Sequence, residues 1–172
     1  ITPEEALRLY SSGEDTAVYT NSENGLGDAA DHLGTAGLSA KIAVFKNKIL
    51  FRNHIADQFP DFFYTSCALS GLADIEPETL RFPCIVKPAI GFFSVGVHKV
   101  NEPGDWNNAV RDIQQSLKKA AGTYPEAVLD SSQIIIEECI EGEEFAFDAY
   151  FDASGNPVIL GIFKHLFSSE DD

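Results

Sequence analysis

Apolar positions recur along this chain with two periods, and the stretch between them that matters most is residues 82–97, FPCIVKPAIGFFSVGV. Cys84, Ile85 and Val86 form an apolar run that delivers Lys87, and Pro88 is expected to end the extended segment. A loop of small and aromatic residues, 89–96, precedes a returning strand marked by Val95, Val97 and Val100. The clearest helix spans roughly 103–121. There Trp106, Val110, Ile113, Leu117 and Ala120 step by four, three, four and three, and Gly122 closes it. Residues 134–136, three isoleucines, read as a buried strand that runs directly into Glu137 and Glu138. Gly142 allows a bend, and from Glu144 the period becomes two. Phe145, Phe147, Ala149 and Phe151 share one face, with Glu144, Ala146, Asp148, Tyr150 and Asp152 on the other. Residues 154–157 form a hairpin turn, and 158–163 return as a strand with Lys164 near its end.

The remaining segments carry weaker patterns. Thr2 is an N-cap, with Pro3 at the first helical position and Glu5 three residues on, so a helix is expected as far as Gly13. Residues 16–20 have strand chemistry, 21–24 are a turn, and a helix follows through Ala29, Ala30 and Leu33. Asn47 caps a helix over 48–58 with an apolar stripe of Phe51, Ile55 and Phe59. Lys48 falls in its first turn, where the helix dipole disfavours a cation unless an anion is near. Phe62, Phe63 and Tyr64 form a short buried run. Residues 65–81 read as connecting structure with a small helix near 74–80, and 123–132 as a loop. The fold class is α+β.

Composition narrows the picture. An apolar share of 44% in 172 residues is that of a globular protein with a core. The chain begins at Ile1 and has no methionine, which suggests a fragment or a processed chain. No apolar run approaches bilayer length, and no charged-then-apolar leader opens the chain. Three cysteines without a CxxC pair point to a reducing, cytoplasmic setting, and four scattered histidines form no zinc pattern. The net charge of −15 argues against nucleic acid or an anionic membrane as partner. Residues 40–100 nevertheless carry a charge of +2, leaving −17 for the rest. A cationic segment around the glycine loop is what a phosphate site requires. Backbone N–H groups in such a loop approach an anion without a Cβ in the way, and Lys87 supplies the point charge. No Gly-Lys-Ser/Thr follows the glycines, so this is not a Walker A loop. The alternative is a solvated lysine beside an ordinary hairpin.

The order of the pieces resembles the ATP-grasp superfamily of ATP-dependent ligases, including carboxylate–amine ligases and carbamoyl-phosphate synthases. The carrying features are Asn47-Lys48 opening a helix, IVKP with its glycine loop, the long helix, the strand ending in Glu-Glu, then EGEE and an aromatic–acidic hairpin. The resemblance implies two α+β lobes with antiparallel sheets, preceded by the tail of a Rossmann-like domain. Residues 1–45 would be that tail, 46–136 the first lobe, and 137–172 the hinge and the start of the second.

It also implies site roles. Lys48 and Lys87 would contact the phosphates of ATP. The loop holding Gly91, Phe93, Ser94, Gly96 and Val97 would close over them as a flap. Glu137 would accept from the adenine amino group, while Glu138, Cys139 and Ile140 line the adenine edge as the hinge. Glu144 would hold the ribose hydroxyls, and Lys164 would approach the phosphates. Mg²⁺ is implied as a second cofactor, with its ligands expected beyond residue 172. The implied partners are ATP and a small-molecule carboxylate, and a homo-oligomer is allowed. The implied reaction forms an acyl phosphate that an amine then displaces, releasing ADP. Phe92 and Phe93 stand where the family more often has small residues. A non-catalytic nucleotide-binding module and a glycine-flap kinase remain alternatives. Against the kinase, the chain has no HRD- or DFG-like run.

Overall fold

The computed structural model describes residues 2, 4–5, 8–9, 25, 37–125 and 128–166. The strand, turn and helix expected over 16–34 and the acidic segment 168–172 lie outside the described residues, apart from residue 25. At the N-terminus the expected capping box is present. The Thr2 N–H donates to Glu5 Oε2 at 2.9 Å, and the Glu5 N–H donates to Thr2 Oγ1 at 3.2 Å.

The chain divides into two compact units, residues 1–139 and 140–172. In the first, helices α1 (Leu38–Lys46) and α2 (Lys48–Ile55) precede an antiparallel sheet built from β1 (Tyr64–Ala68), β2 (Cys84–Ile90), β3 (His98–Val100) and β4 (Asp130–Glu138). Helix α3 (Trp106–Ala120) lies between β3 and β4 in the chain, and the strand order is β1-β4-β2-β3. Alternation along the strands sorts the sheet into two faces. Cys84, Val86, Val100, Ile134 and Ile136 pack with Trp106, Val110, Ile113 and Leu117 of α3 to form the core. Each such side chain contributes about 1.5–3 kcal/mol on burial. The opposite face carries Ile85, Lys87, Ile135 and Glu137, since Ile85 pairs with Glu137 and Lys87 with Ile135. The helix that closes the core and the side chains capable of chemistry are thus on opposite faces.

Four expectations need correction. Residues 64–68, read as the end of an aromatic run and a connection, are the edge strand β1. Pro88 does not end β2. The strand continues to Ile90, with a shift of register between Pro88 and Ile90 absorbing the missing donor. Helix α2 stops at Ile55, and a 3₁₀ turn, Ala56–Gln58, leaves Phe59 exposed; the residue before Pro60 is barred from helical geometry. Strand β4 begins at Asp130, inside the expected loop. The end of α3 is as expected, with Gly122 left-handed at φ 74°.

The glycine loop packs on its surroundings at Phe92 and at Gly96. Phe92 meets the Tyr124 ring edge-on, with centroids 4.8 Å apart. Gly96 is buried at φ 70°, and a Cβ there would lie 2.6 Å from Leu117 Cδ2. Leu117 is itself a core residue and has little room to yield. Gly96→Ala is therefore expected to lower the stability of the first unit by about 2 kcal/mol, from left-handed strain plus overpacking. An unchanged urea midpoint would contradict this close approach.

The second unit is a ribbon of β5 (Phe145–Phe151) and β6 (Pro157–Lys164), paired from Phe145–Lys164 to Phe151–Pro157. A bulge leaves Leu160 without an opposite residue, because Asp148 pairs with Gly161 and Ala149 with Ile159. The turn is held by Asp152, whose Oδ1 accepts from the N–H groups of Asn156 at 2.9 Å and Ser154 at 2.8 Å. These bonds, those of Asn156 first, hold the Asp152 carboxyl below the usual carboxylate range. Phe147, Phe151, Leu160 and Ile162 are all exposed.

The three cysteines are free of disulfides. Burial, with Cys139 nearby, pushes the Cys84 thiol up to about 11, so at neutral pH it is a packing group and not a nucleophile. Among the described residues no helix is long and apolar enough to cross a membrane.

Candidate functional site

On the face of the sheet away from α3, three ionised side chains from three elements meet. Glu137, near the end of β4, is almost fully buried, at 4% exposure. Its Oε2 accepts from Arg52 Nε of α2 at 2.8 Å, and its Oε1 is paired with the Lys87 ammonium of β2. Burial pushes the Glu137 carboxyl up. The hydrogen bonds and charges of Arg52 and Lys87 outweigh that and leave it below the usual carboxylate range. The Arg52 guanidinium also stacks 4.2 Å over the Phe62 ring. The trio carries a net charge of +1 and is held from both sides.

Lys48 lies close by in chain terms. Asn47 caps α2 through its Oδ1, which accepts from the N–H groups of Ile49 at 2.9 Å and Leu50 at 3.2 Å. The Lys48 ammonium, set in the unfavourable first turn, donates to the carbonyl of Gly91 at 3.2 Å. It therefore ties the start of α2 to the first residue of the glycine loop. In that loop Phe93 and Ser94 both take left-handed geometry, with φ 47° and 56°, and the Val97 N–H donates to the Ser94 carbonyl at 3.1 Å. Phe93 is exposed, whereas Gly96 is buried.

Beyond Glu137 the strand edge is locked to its neighbours. The Glu138 N–H donates to the Phe63 carbonyl at 3.0 Å, and the Cys139 N–H to the Pro83 carbonyl at 2.9 Å. The Glu138 carboxylate accepts from Arg81 at 3.4 Å. In the second unit, by itself, Lys164 pairs with Glu143 and His165 Nδ1 lies 2.9 Å from Glu144 Oε1, so the open end of the ribbon gathers two acids and two bases.

What this arrangement offers is acceptor and donor capacity. An ammonium has three N–H donors, so Lys87 keeps two for another anion while bound to Glu137. An ionised carboxylate has about four lone-pair sites, of which Arg52 and Lys87 take one each. The cluster thus offers donor capacity at Lys87 and acceptor capacity at Glu137, while Lys48 sets a further cation against the glycine loop. Among the described residues no group of three or more His, Cys, Asp or Glu side chains is placed to hold a metal ion.

Residues 80–172, more than half of the chain, match the sequence model of the ATP-grasp domain. The chain belongs to the ATP-grasp family. No curated protein matches it. Among solved structures, the chain superposes on an L-amino acid ligase from Bacillus licheniformis with a TM-score of 0.63 and 23% identity, covering 95% of this chain and 39% of that one. It matches N5-carboxyaminoimidazole ribonucleotide synthetase in its ADP complex with a TM-score of 0.60 and 14% identity, covering 97% and 42%. The biotin carboxylase domain of Hydrogenobacter thermophilus 2-oxoglutarate carboxylase, solved with MgADP, ADP and bicarbonate, gives 0.58 and 14%, covering 94% and 37%. At these identities the likeness is one of fold, and the chain spans about two fifths of the length of each structure. The expected mixed fold with antiparallel sheets is that of the ATP-grasp family.

Of the ATP-grasp residues expected from sequence, Lys87 and Glu137 are in direct contact, and Lys48 reaches Gly91. Glu144 and Lys164 sit at one end of the ribbon, each engaged with a neighbour of opposite charge capacity. Arg52 was not among them. The available signal was its spacing, four residues after Lys48. Two cations stacked on one helix face repel unless an anion faces them, and Glu137 is that anion for Arg52.

The Glu137 cluster has a pH consequence. A carboxyl lowered in the folded state contributes stability that is present above its unfolded pKa and lost as pH falls through the folded value. Urea unfolding near pH 7 and pH 3.5 should therefore show a larger acid loss for the natural chain than for Glu137→Gln. Equal losses would mean that the ion pairs do not hold the charge on Glu137.

Proposed function

We propose that this chain is the ATP-binding portion of an ADP-forming ATP-grasp ligase. In this reading, residues 46–136 are the first lobe, 137–172 the hinge and start of the second, and 1–45 the end of a preceding domain. The observation that carries it is the buried Glu137 carboxylate shared between Arg52 and Lys87 on the sheet face opposite the core, with Lys48 beside the glycine loop. Lys87 donates its two remaining N–H groups to the α- and β-phosphates, and Lys48 supplies a second cation. The loop with Gly91, Phe93, Ser94, Gly96 and Val97 covers the phosphates. Glu137 accepts from the adenine amino group, the backbones of Glu138 and Ile140 pair with the base edge beside Cys139, Glu144 accepts from the ribose hydroxyls, and Lys164 approaches the phosphates.

In the full-length protein the γ-phosphoryl group passes to a carboxylate oxygen, ADP leaves, and an amine displaces phosphate from the acyl phosphate. These residues contribute orientation and charge stabilisation to that transfer. Magnesium would be the second cofactor, its charge offsetting that of the transferring phosphoryl group. Free cysteines support a cytoplasmic setting.

Two measurements test this. Glu144→Ala should lose most of the preference for ATP over 2′,3′-dideoxy-ATP; an undiminished preference would remove Glu144 from the ribose site. In the full-length protein, ATP with the right carboxylate and hydroxylamine should yield a hydroxamate from the trapped acyl phosphate. Nucleotide binding with no hydroxamate for any carboxylate would favour a second reading, a non-catalytic nucleotide-binding module. That reading draws on the loop's two phenylalanines and the packing of Phe92 on Tyr124.

A further inference from the structure

Arg52 has no role in the phosphate and base contacts proposed above, yet it is firmly built into the site. Its Nε donates to Glu137 Oε2 at 2.8 Å, its guanidinium lies 4.2 Å over Phe62, and its side chain is mostly buried, at 17% exposure. The neighbouring acid, Glu138, has a different partner in Arg81, so Arg52 serves Glu137. The other oxygen of Glu137 faces Lys87, the residue that the nucleotide reading assigns to phosphate.

The protonation state of Glu137 decides which base it takes. An ionised carboxylate only accepts hydrogen bonds, whereas a protonated one also donates. A purine with an amino group at C6 donates there; a purine with a carbonyl at C6 accepts. An ionised Glu137 therefore attracts the first and repels the second, and a protonated Glu137 serves both. With two of its donors on phosphate, Lys87 has only one left for Glu137, and a buried carboxylate held by that bond alone, without a second cation, takes up a proton. Arg52 is that second cation, fixed by Phe62 and independent of the phosphates.

We propose that Arg52 is the positioning residue for base selection, holding Glu137 as an acceptor-only carboxylate so that the site takes 6-aminopurine nucleotides and rejects 6-oxopurine nucleotides. This rests on the nucleotide reading of the site.

The test is calorimetric titration of the chain with ATP and with ITP, which differ only in the group at C6 and its accompanying ring proton. The natural chain, Arg52→Met and Arg52→Lys are compared. Methionine keeps the apolar stem over Phe62 and removes the charge; lysine keeps the charge. The near-ultraviolet signal of Trp106, the single tryptophan, reports that each variant is folded. The natural chain should prefer ATP by about tenfold to a hundredfold, the range of one charge-assisted hydrogen bond. In Arg52→Met the preference should fall to within about threefold, chiefly through tighter ITP binding relative to ATP, and in Arg52→Lys most of it should return. A folded Arg52→Met with the natural preference overturns the role of Arg52 alone, as does a natural chain that binds both nucleotides equally. A folded natural chain that binds neither overturns the nucleotide reading itself, and this inference with it.

Discussion

Lys87→Ala is expected to weaken ATP binding about a hundredfold, and Lys118→Ala on the exposed face of α3 by no more than about twofold. The difference follows from where the two ammonium groups stand. Lys118 is exposed in the last turn of α3, on the core side of the sheet. Lys87 is four-fifths buried on the opposite face, held by Glu137, with two donors left for phosphate oxygens. Two charge-assisted bonds at about 1.5–3 kcal/mol each, less what a water shell returns, give a loss of that order. The structural cost is smaller. Glu137 keeps Arg52, so the unfolding midpoint of Lys87→Ala should move far less than its affinity. Equal effects of the two substitutions on ATP binding would remove Lys87 from the site.

Glu137→Ala is the substitution expected to cost most in stability. It removes the common partner of Arg52 on α2 and Lys87 on β2 and leaves two cations without their shared anion. Breaking a fully buried pair costs about 3–5 kcal/mol. Arg52 and Lys87 keep 17% and 20% of their side-chain surface in contact with water, so screening brings the expected loss to about 2–3 kcal/mol. Thermal unfolding of the first unit, followed through Trp106, should shift down by about 5–12 °C. The double variant Glu137→Ala with Arg52→Met should lose less than the sum of the two single losses, because the second change removes a cation the first left unpaired. A shift of only a degree or two for Glu137→Ala would mean the trio is a surface arrangement of little consequence.

Much of this was legible in the residues, for reasons that can be named. The steps of four and three from Trp106 to Leu117 mark a helix with one apolar face, and that face is the one packed on the sheet. Three isoleucines followed by two glutamates mark a strand leaving the core, and Glu137 is where β4 turns from packing to charge. The alternation after Glu144 marks the ribbon. What escaped had no periodic signal of its own. Strand β1 is five residues, YTSCA, with too few branched or aromatic side chains to distinguish it from a connection, and pairing with β4 makes it a strand. Helix α1 follows Gly37 with no side-chain cap, and its apolar residues form no single stripe. The bulge at Leu160 comes from the register of two strands and cannot be seen in one. Arg52 was hidden by its setting on a short helix, where an arginine is ordinarily solvated; its partner lies 85 residues away in the chain. Long-range ion pairs are the part of a site that sequence patterning conveys least.

The most direct measurement is calorimetric titration of the folded 172-residue chain with ATP, with and without Mg²⁺, beside Lys87→Ala. The account predicts saturable binding by the natural chain and its loss in the variant at the same concentrations. No binding by the natural chain, or binding that Lys87→Ala leaves unchanged, would contradict the assignment of a nucleotide site to the Arg52–Glu137–Lys87 face.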